Sequence, residues 1–328
     1  MPMGPFTFSD IHCVDPEQAC ELLDLALGTG YGRQKSPTLW NWKHKSNPAG
    51  ASLGCAAYGP NDELIGLRPF MRWRLVDQTG TVINAARAVD TAVHPEWRRA
   101  GLFTKMTQAS LDALQEQGIG LIFNTPNDQS APGYQKMGWN LLGHPRLWVR
   151  PRPSGLLRRR SDTLREATDA LSHFSETAAV AASSAQRRPE RGGVAVLKDT
   201  SFLKWRYGRH PNLEYRVLEG RNGLAVVRSD IRAGRQGVAI SDLFVKDGPD
   251  ASLRGLVSEL ARATAGAYLV MGPLRSFRHR AAALSLGFIP VPWRNVNLAV
   301  RSIPADDPSP LNRRRDSWQL SLGDMETF

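Results

Sequence analysis

The chain has 328 residues, 41% of them hydrophobic and 22% charged, with a formal net charge of +11. That length exceeds one ordinary domain and suits two of about 150 residues, and the composition excludes an intrinsically disordered chain. No apolar run approaches the ~18 residues of a membrane span, and the opening "MPMGPFTFSD" lacks the basic and apolar stretches of a secretory leader.

In chain order, "DPEQACELLDLAL" (15–27) reads as an amphipathic helix with Asp15 as N-cap, Pro16 in the first turn, and Gly28 and Gly30 ending it. Three strands follow at 51–59, 64–76 and 81–93, separated by the turns "NDE" and "DQTG", as an antiparallel meander. After "HPEWRRAG" the spacing of Leu102, Met106, Leu111 and Leu114 predicts a helix from Leu102 to about Gln117. "GIGLIFNT" (118–125) reads as a buried strand, "SAPGYQKMG" carries a short helix, and "WNLLGHPRLWVR" closes the lobe with a strand or strand pair. Residues 151–195 hold Arg-rich and Ala/Ser-rich stretches with few large apolar residues. They read as a partly flexible linker, with one helix over 162–174.

The pattern then restarts. "LWNWKHKSNP" (39–48) is echoed by "FLKWRYGRHP", with Trp205 lying 163 positions after Trp42. "AVDTAV" ending at Val93 matches "AISDLFV" ending at Val245, and "MGW" at 137–139 matches "LGF" at 286–288. Ordered agreement at three places predicts an internal repeat. The expected division is a first lobe over 1–150, a linker over 151–195 and a second lobe over 196–328. The fold class is α/β of the α+β type, each lobe a mixed, mostly antiparallel sheet flanked by helices.

"AVHPEWRRAGLFTKM" (92–106) carries the chemistry. A strand ends at Val93, Pro95 shapes a turn, two arginines and a glycine follow, and a helix begins. Amide N–H groups at a helix N-terminus attract anions, a glycine lets backbone approach closely, and arginines add charged donors. This is the design of a pyrophosphate cradle.

The segment V-x-P-x-W-R-R-x-G-L-F resembles the acyl-CoA signature of the GNAT superfamily of N-acetyltransferases, through Val93, Pro95, Trp97, Arg98 and Gly101. Phe103 stands where that family usually has a small residue. "NTPNDQSAPGYQKMGW" (124–139) resembles the family's second signature. The resemblance implies that acetyl-CoA or another acyl-CoA is the co-substrate. Its pyrophosphate would rest on Arg98, Arg99, Ala100, Gly101, Leu102 and Phe103, and its pantetheine arm near Asn127 and Ser130. Tyr134 would be the general acid that protonates the departing thiolate, and the Val93 N–H would stabilise the thioester oxyanion. The base stays open between Asp90 and His94. Arg87 occupies the place of the family's usual glutamate, and the chain's own C-terminal carboxylate at Phe328 is a remote alternative. A water relay, or an amine that arrives neutral, would need no base at all.

Where the first lobe has its cradle, the second reads "KDGPDASLRGLVSEL", with Asp247 and Asp250 in the turn and no tyrosine in the acid position. It is expected to have lost acyl-CoA and to shape the acceptor cleft. The reading is an N-acyltransferase acting on a primary amine of a small molecule, an amino sugar or an amine-bearing natural product. Its alternatives are a non-catalytic acyl-CoA sensor, a basic nucleic-acid-binding module, and FemAB-like aminoacyl or long-chain acyl transfer. Cys13, Cys20 and Cys55 match no zinc spacing, so no metal is expected. The expected setting is the reducing cytoplasm, with no membrane or nucleic-acid partner and an oligomeric state open between monomer and homodimer.

Overall fold

A computed structural model describes residues 5–28, 35–152, 171–186, 188–245, 249–274, 277–292, 296–304, 311 and 314–325. The elements in order are β1 (Thr7–Asp10), α1 (Pro16–Leu27), α2 (Pro37–His44), β2 (Leu53–Tyr58), β3 (Leu64–Asp77), β4 (Val82–Ala88), β5 (Ala92–Val93), α3 (Leu102–Glu116), β6 (Leu121–Asn124), α4 (Ala131–Lys136), β7 (Asn140–Gly143) and β8 (Arg146–Pro151). There follow β9 (Leu171–His173), α5 (Glu176–Ala185), β10 (Val194–Val196), α6 (Thr200–Leu203), β11 (Arg216–Gly220), β12 (Gly223–Arg232), β13 (Arg235–Val245), α7 (Pro249–Ala263), β14 (Tyr268–Met271), α8 (Phe277–Ser285), β15 (Ile289–Pro292), β16 (Leu298–Ser302) and β17 (Trp318–Gln319).

Two compact units emerge, and neither is contiguous in sequence. The first comprises Met1–Leu75, Val82–Leu142 and Asn297–Arg313; the second comprises Val76–Thr81, Gly143–Val296 and Arg314–Phe328. In the first unit the sheet runs β1-β2-β3-β4-β6-β16-β7. β4 and β6 are parallel, as a strand–helix–strand crossover through α3 requires, and β16 lies antiparallel against β6. In the second unit the sheet runs β15-β8-β14-β13-β12-β11-β9, with β13 and β14 parallel and β8 antiparallel against β14.

These orders correct two expectations. β8 does not close the first lobe, and β16 does not close the second. Each takes the position in one sheet that the other takes in its counterpart. Short strands with consecutive apolar residues, such as "RLWVR" and "LAVRS", carry no mark of which sheet they join, so local pattern cannot assign them. The linker expectation is corrected too. β9 pairs with β11, and α5 buries Ala178, Ala179 and Ala182 under a Ser175 cap. An alanine stripe permits close helix packing without large side chains. The helix expected over 162–174 falls mostly outside the described residues, and its last part is β9.

Local signals explain the helices. Asp15 accepts from the Gln18 N–H at 3.3 Å with Pro16 in the first turn, and Gly28 ends α1 at φ 77°. Ser36 caps α2 by accepting from Leu39 N–H, ahead of Pro37. α1 and α2 cover one face of the first sheet, where Leu22, Leu23 and Trp40 pack on Ala56, Leu67 and Ala92. On β2, Gly54 sits at φ 123°, and a Cβ there would strike the Arg68 carbonyl oxygen of β3. Gly54→Ala therefore combines left-handed strain with a backbone collision. We expect it to lower the unfolding free energy by about 2 kcal/mol, read from urea denaturation.

The repeated string has the same job in both units. Trp40, Trp42, Lys43 and His44 on α2 are buried, as are Phe202 at the end of α6 and Trp205, Arg206 and Tyr207 in the π-helical turn that continues it. In the first unit the His44 ring bonds the Asp90 carboxylate at 3.0 Å. In the second, the Tyr207 hydroxyl donates to Asp242. These are matching positions of the repeat. Each aspartate also sits at a one-residue bulge. β13 shifts register at Ser241–Asp242 against β12. In the first unit, Val89 N–H bonds Pro69 O, whereas Ala92 pairs with Leu67, so one extra residue lies between. The duplication thus extends from sequence to bulge and to the hydrogen bond that pins it.

Candidate functional site

The bulge decides where the strand beyond it opens. β4 pairs with β6 only as far as Arg87–Phe123. After the bulge, among the described residues, β5 pairs with β3 alone. His94 N–H donates to Ile65 O at 2.8 Å, so His94–Ile65 is a hydrogen-bonded pair. Pairs alternate in an antiparallel ladder, so Val93–Gly66 is the non-bonded kind and the Val93 N–H faces away from β3. That edge is where a ligand's carbonyl could be received.

Past β5, a short 3-10 turn over Pro95–Trp97 leads into α3. Arg99 and Gly101 both adopt left-handed backbone, at φ 67° and 73°. A non-glycine residue there stores about 1 kcal/mol or more, a cost that persists where the turn has work to do. α3 begins without a side-chain cap and without an acidic residue in its first turn. Its leading amides and dipole are thus offered to an anion, and the donor set fits a pyrophosphate. Leu102 is buried against Cys55, Ile65 and Met106, anchoring the helix, while Ala100 is half-buried. Arg98 donates to the Ala26 carbonyl at the end of α1 at 2.8 Å; Arg99 is exposed.

Tyr134 lies on α4 with 5% exposure. Phe103 and Trp139 meet its ring edge-on, each at 5.4 Å between centroids. Phe103 therefore turns inward from the helix start. The Tyr134 hydroxyl accepts from Arg68 Nη1 at 2.8 Å. Arg68 was missed by sequence reasoning, although a charged residue at a core-facing position of "LIGLRPFMRW" is itself a signal. Asn127 accepts from both the N–H and the hydroxyl of Ser130, each at 2.9 Å, and so holds the turn into α4.

The two base candidates have different surroundings. Asp90, at φ 44°, is bonded by Lys43 Nζ at 2.7 Å and by His44. Burial pushes its carboxyl up, but the Lys43 charge and the His44 bond outweigh that and hold it well below the usual carboxylate range. Such a carboxylate is a weak proton acceptor. His94 is half-exposed at the end of β5, with Nδ1 accepting from the Glu96 N–H at 3.3 Å. Arg87 is buried, bonds Thr125 at 3.0 Å and lies over the Phe123 ring. Phe328, Asp247 and the side chain of Asp250 fall outside the described residues.

A strand that leaves its parallel neighbour at a bulge and is followed by a helix without a side-chain cap is the arrangement of the GNAT fold. The acetyltransferase (GNAT) domain family matches residues 15–142. Solved structures share the fold. A GCN5-related N-acetyltransferase from Anabaena variabilis aligns with TM-score 0.62 and 13% identity over 91% of this chain and 73% of its own. The corresponding protein from Kribbella flavida gives 0.60 and 13% over 92% and 72%. Eis1 from Mycobacterium abscessus gives 0.55 and 16% over 91% and 74%. No curated protein sequence is significantly similar to the chain. Among the described residues no helix is long and apolar enough to cross a membrane.

Proposed function

We propose that the first unit transfers an acetyl or other acyl group from acyl-CoA to the primary amine of a small molecule, by direct attack of the amine. An amino sugar or an amine-bearing natural product is the acceptor class. The observation that carries this reading is the Val93 N–H on an open strand edge, in the same unit as the buried Tyr134 hydroxyl and the uncapped start of α3. In this reading the amides of residues 99–103 hold the pyrophosphate, with Arg99 adding charge. Asn127 and Ser130 border the pantetheine arm. The Val93 N–H stabilises the developing oxyanion, and Tyr134 gives its proton to the departing sulfur. Asp90 pins the bulge, and His94 is left as the side chain able to take a proton from the amine. The setting proposed is the cytoplasm.

Titration calorimetry with acetyl-CoA, together with mass spectrometry of products from an amine panel that includes aminoglycosides, tests the reading. Binding with an acylated product is expected. Absence of binding overturns it. Binding without turnover of any amine identifies a sensor instead, and acylation only from long-chain donors revises the donor.

A further inference from the structure

Arg68 is fully buried on β3 at 0% exposure, yet among the described residues it makes no ion pair. Its guanidinium is held by hydroxyls and rings. Nε donates to Thr107 at 2.9 Å, and Nη1 donates to Thr91 at 2.7 Å and to Tyr134 at 2.8 Å. The rings of Phe70, Phe103 and Tyr134 lie 4.6, 4.9 and 5.1 Å from its central carbon. Nη2 is buried and has no hydrogen-bond partner. Burying a cation without a carboxylate costs stability, and an apolar side chain of similar volume would serve the core better. A structural role alone leaves this residue unexplained.

Its hydrogen bond has a direction. A guanidinium has no lone pair to offer, so the Tyr134 oxygen must accept. A phenol has one hydrogen, and this geometry leaves that hydrogen unengaged by Arg68. The same contact sets a fixed positive charge beside the oxygen that becomes anionic once the proton leaves. In a site screened from water, such a charge stabilises the product of proton transfer without reorganising. The cage is braced from several elements. Thr91 follows the bulge, Thr107 sits on α3 and donates its own hydrogen to the Phe103 carbonyl at 2.8 Å, and Phe103 closes the edge of the Tyr134 ring.

We propose that Arg68 is the positioning residue of the acid. It orients the Tyr134 hydroxyl with its proton outward and compensates the phenolate left when that proton passes to the departing thiolate sulfur. The cycle closes when the phenolate recovers a proton from solvent or from the ammonium formed on the acceptor. This inference rests on the role of Tyr134 proposed above.

The test is a double-mutant cycle on the full chain, with acetyl-CoA as donor and the best acceptor from the amine panel, following release of the CoA thiol. Arg68→Met is expected to lower kcat at least tenfold, with KM and calorimetric Kd for acetyl-CoA within twofold of wild type. Placed on Tyr134→Phe, it should change kcat by less than twofold further, because the group it serves is gone. Arg68→Lys, which keeps the cation, should recover part of the loss, and it also serves if the methionine variant fails to fold. Equal factors in both backgrounds, or a loss confined to KM, would overturn the positioning role while leaving Tyr134 as the acid. A kcat unaffected by Tyr134→Phe would overturn the role of Tyr134 and this inference with it. A wild-type chain that turns over no amine overturns the transferase reading and this inference together.

Discussion

Tyr134→Phe is expected to lower kcat by about 10²- to 10⁴-fold, the usual worth of a positioned general acid, with acetyl-CoA affinity changed less than twofold. The substitution removes one oxygen and keeps the ring, so the edge contacts with Phe103 and Trp139 survive. It also leaves Arg68 Nη1 bonded to Thr91. The loss therefore falls on chemistry more than on binding. Circular dichroism and a melting curve show whether the fold is intact, and single-turnover kinetics isolate the chemical step. A variant that retains wild-type kcat would remove Tyr134 from the reaction.

Asp90→Asn is expected to lower the unfolding free energy by about 3 kcal/mol, because it leaves Lys43 buried without its carboxylate. Lys43 and His44 are 7% and 3% exposed, so water cannot easily replace the lost partner. The effect carries a pH signature. Burial works against the charged Asp90, but Lys43 and His44 prevail, and its folded pKa lies below the unfolded value of roughly 4. A depressed carboxyl stabilises the fold above the unfolded pKa and loses that contribution as pH falls toward the folded one. Urea denaturation at pH 7 should show the full gap between wild type and Asp90→Asn, and at pH 3 the gap should narrow. A gap independent of pH would mean that Asp90 acts through packing alone.

The two predictions separate the two kinds of residue near the strand edge. Asp90 and His44 form a joint that the second unit repeats with Asp242 and Tyr207. Arg68 and Tyr134 form a contact that uses side chains of β3 and α4 and belongs to the first unit. What both copies keep holds the bulge; what the first adds is the contact on which the proposed chemistry rests.

Much of this was legible in the residues. The caps of α1, the period of α3, the turn before it and the helix bearing Tyr134 all depend on interactions within a few positions, and local sequence records them. Even α2, left unassigned, was announced by Ser36 and Pro37. The split of one expected strand into β4 and β5 was not legible. A bulge depends on which strand lies opposite and on what anchors the extra residue, and Lys43 and His44 are 46 or more positions from Asp90.

By itself the sequence determined that the chain is duplicated, that one copy runs from a strand through an Arg- and Gly-bearing turn into a helix, and that a tyrosine follows on a short helix. Period, capping and motif are properties of neighbouring residues. Tertiary structure alone decided which sheet received β8 and which received β16, since a short strand of consecutive apolar residues carries no local mark of its neighbours. It also decided that Arg68 would be buried among three rings with its hydrogen bond on Tyr134. The hydroxyls that hold this charge lie 23 to 66 positions away, brought near only when the sheet and its helices close around it.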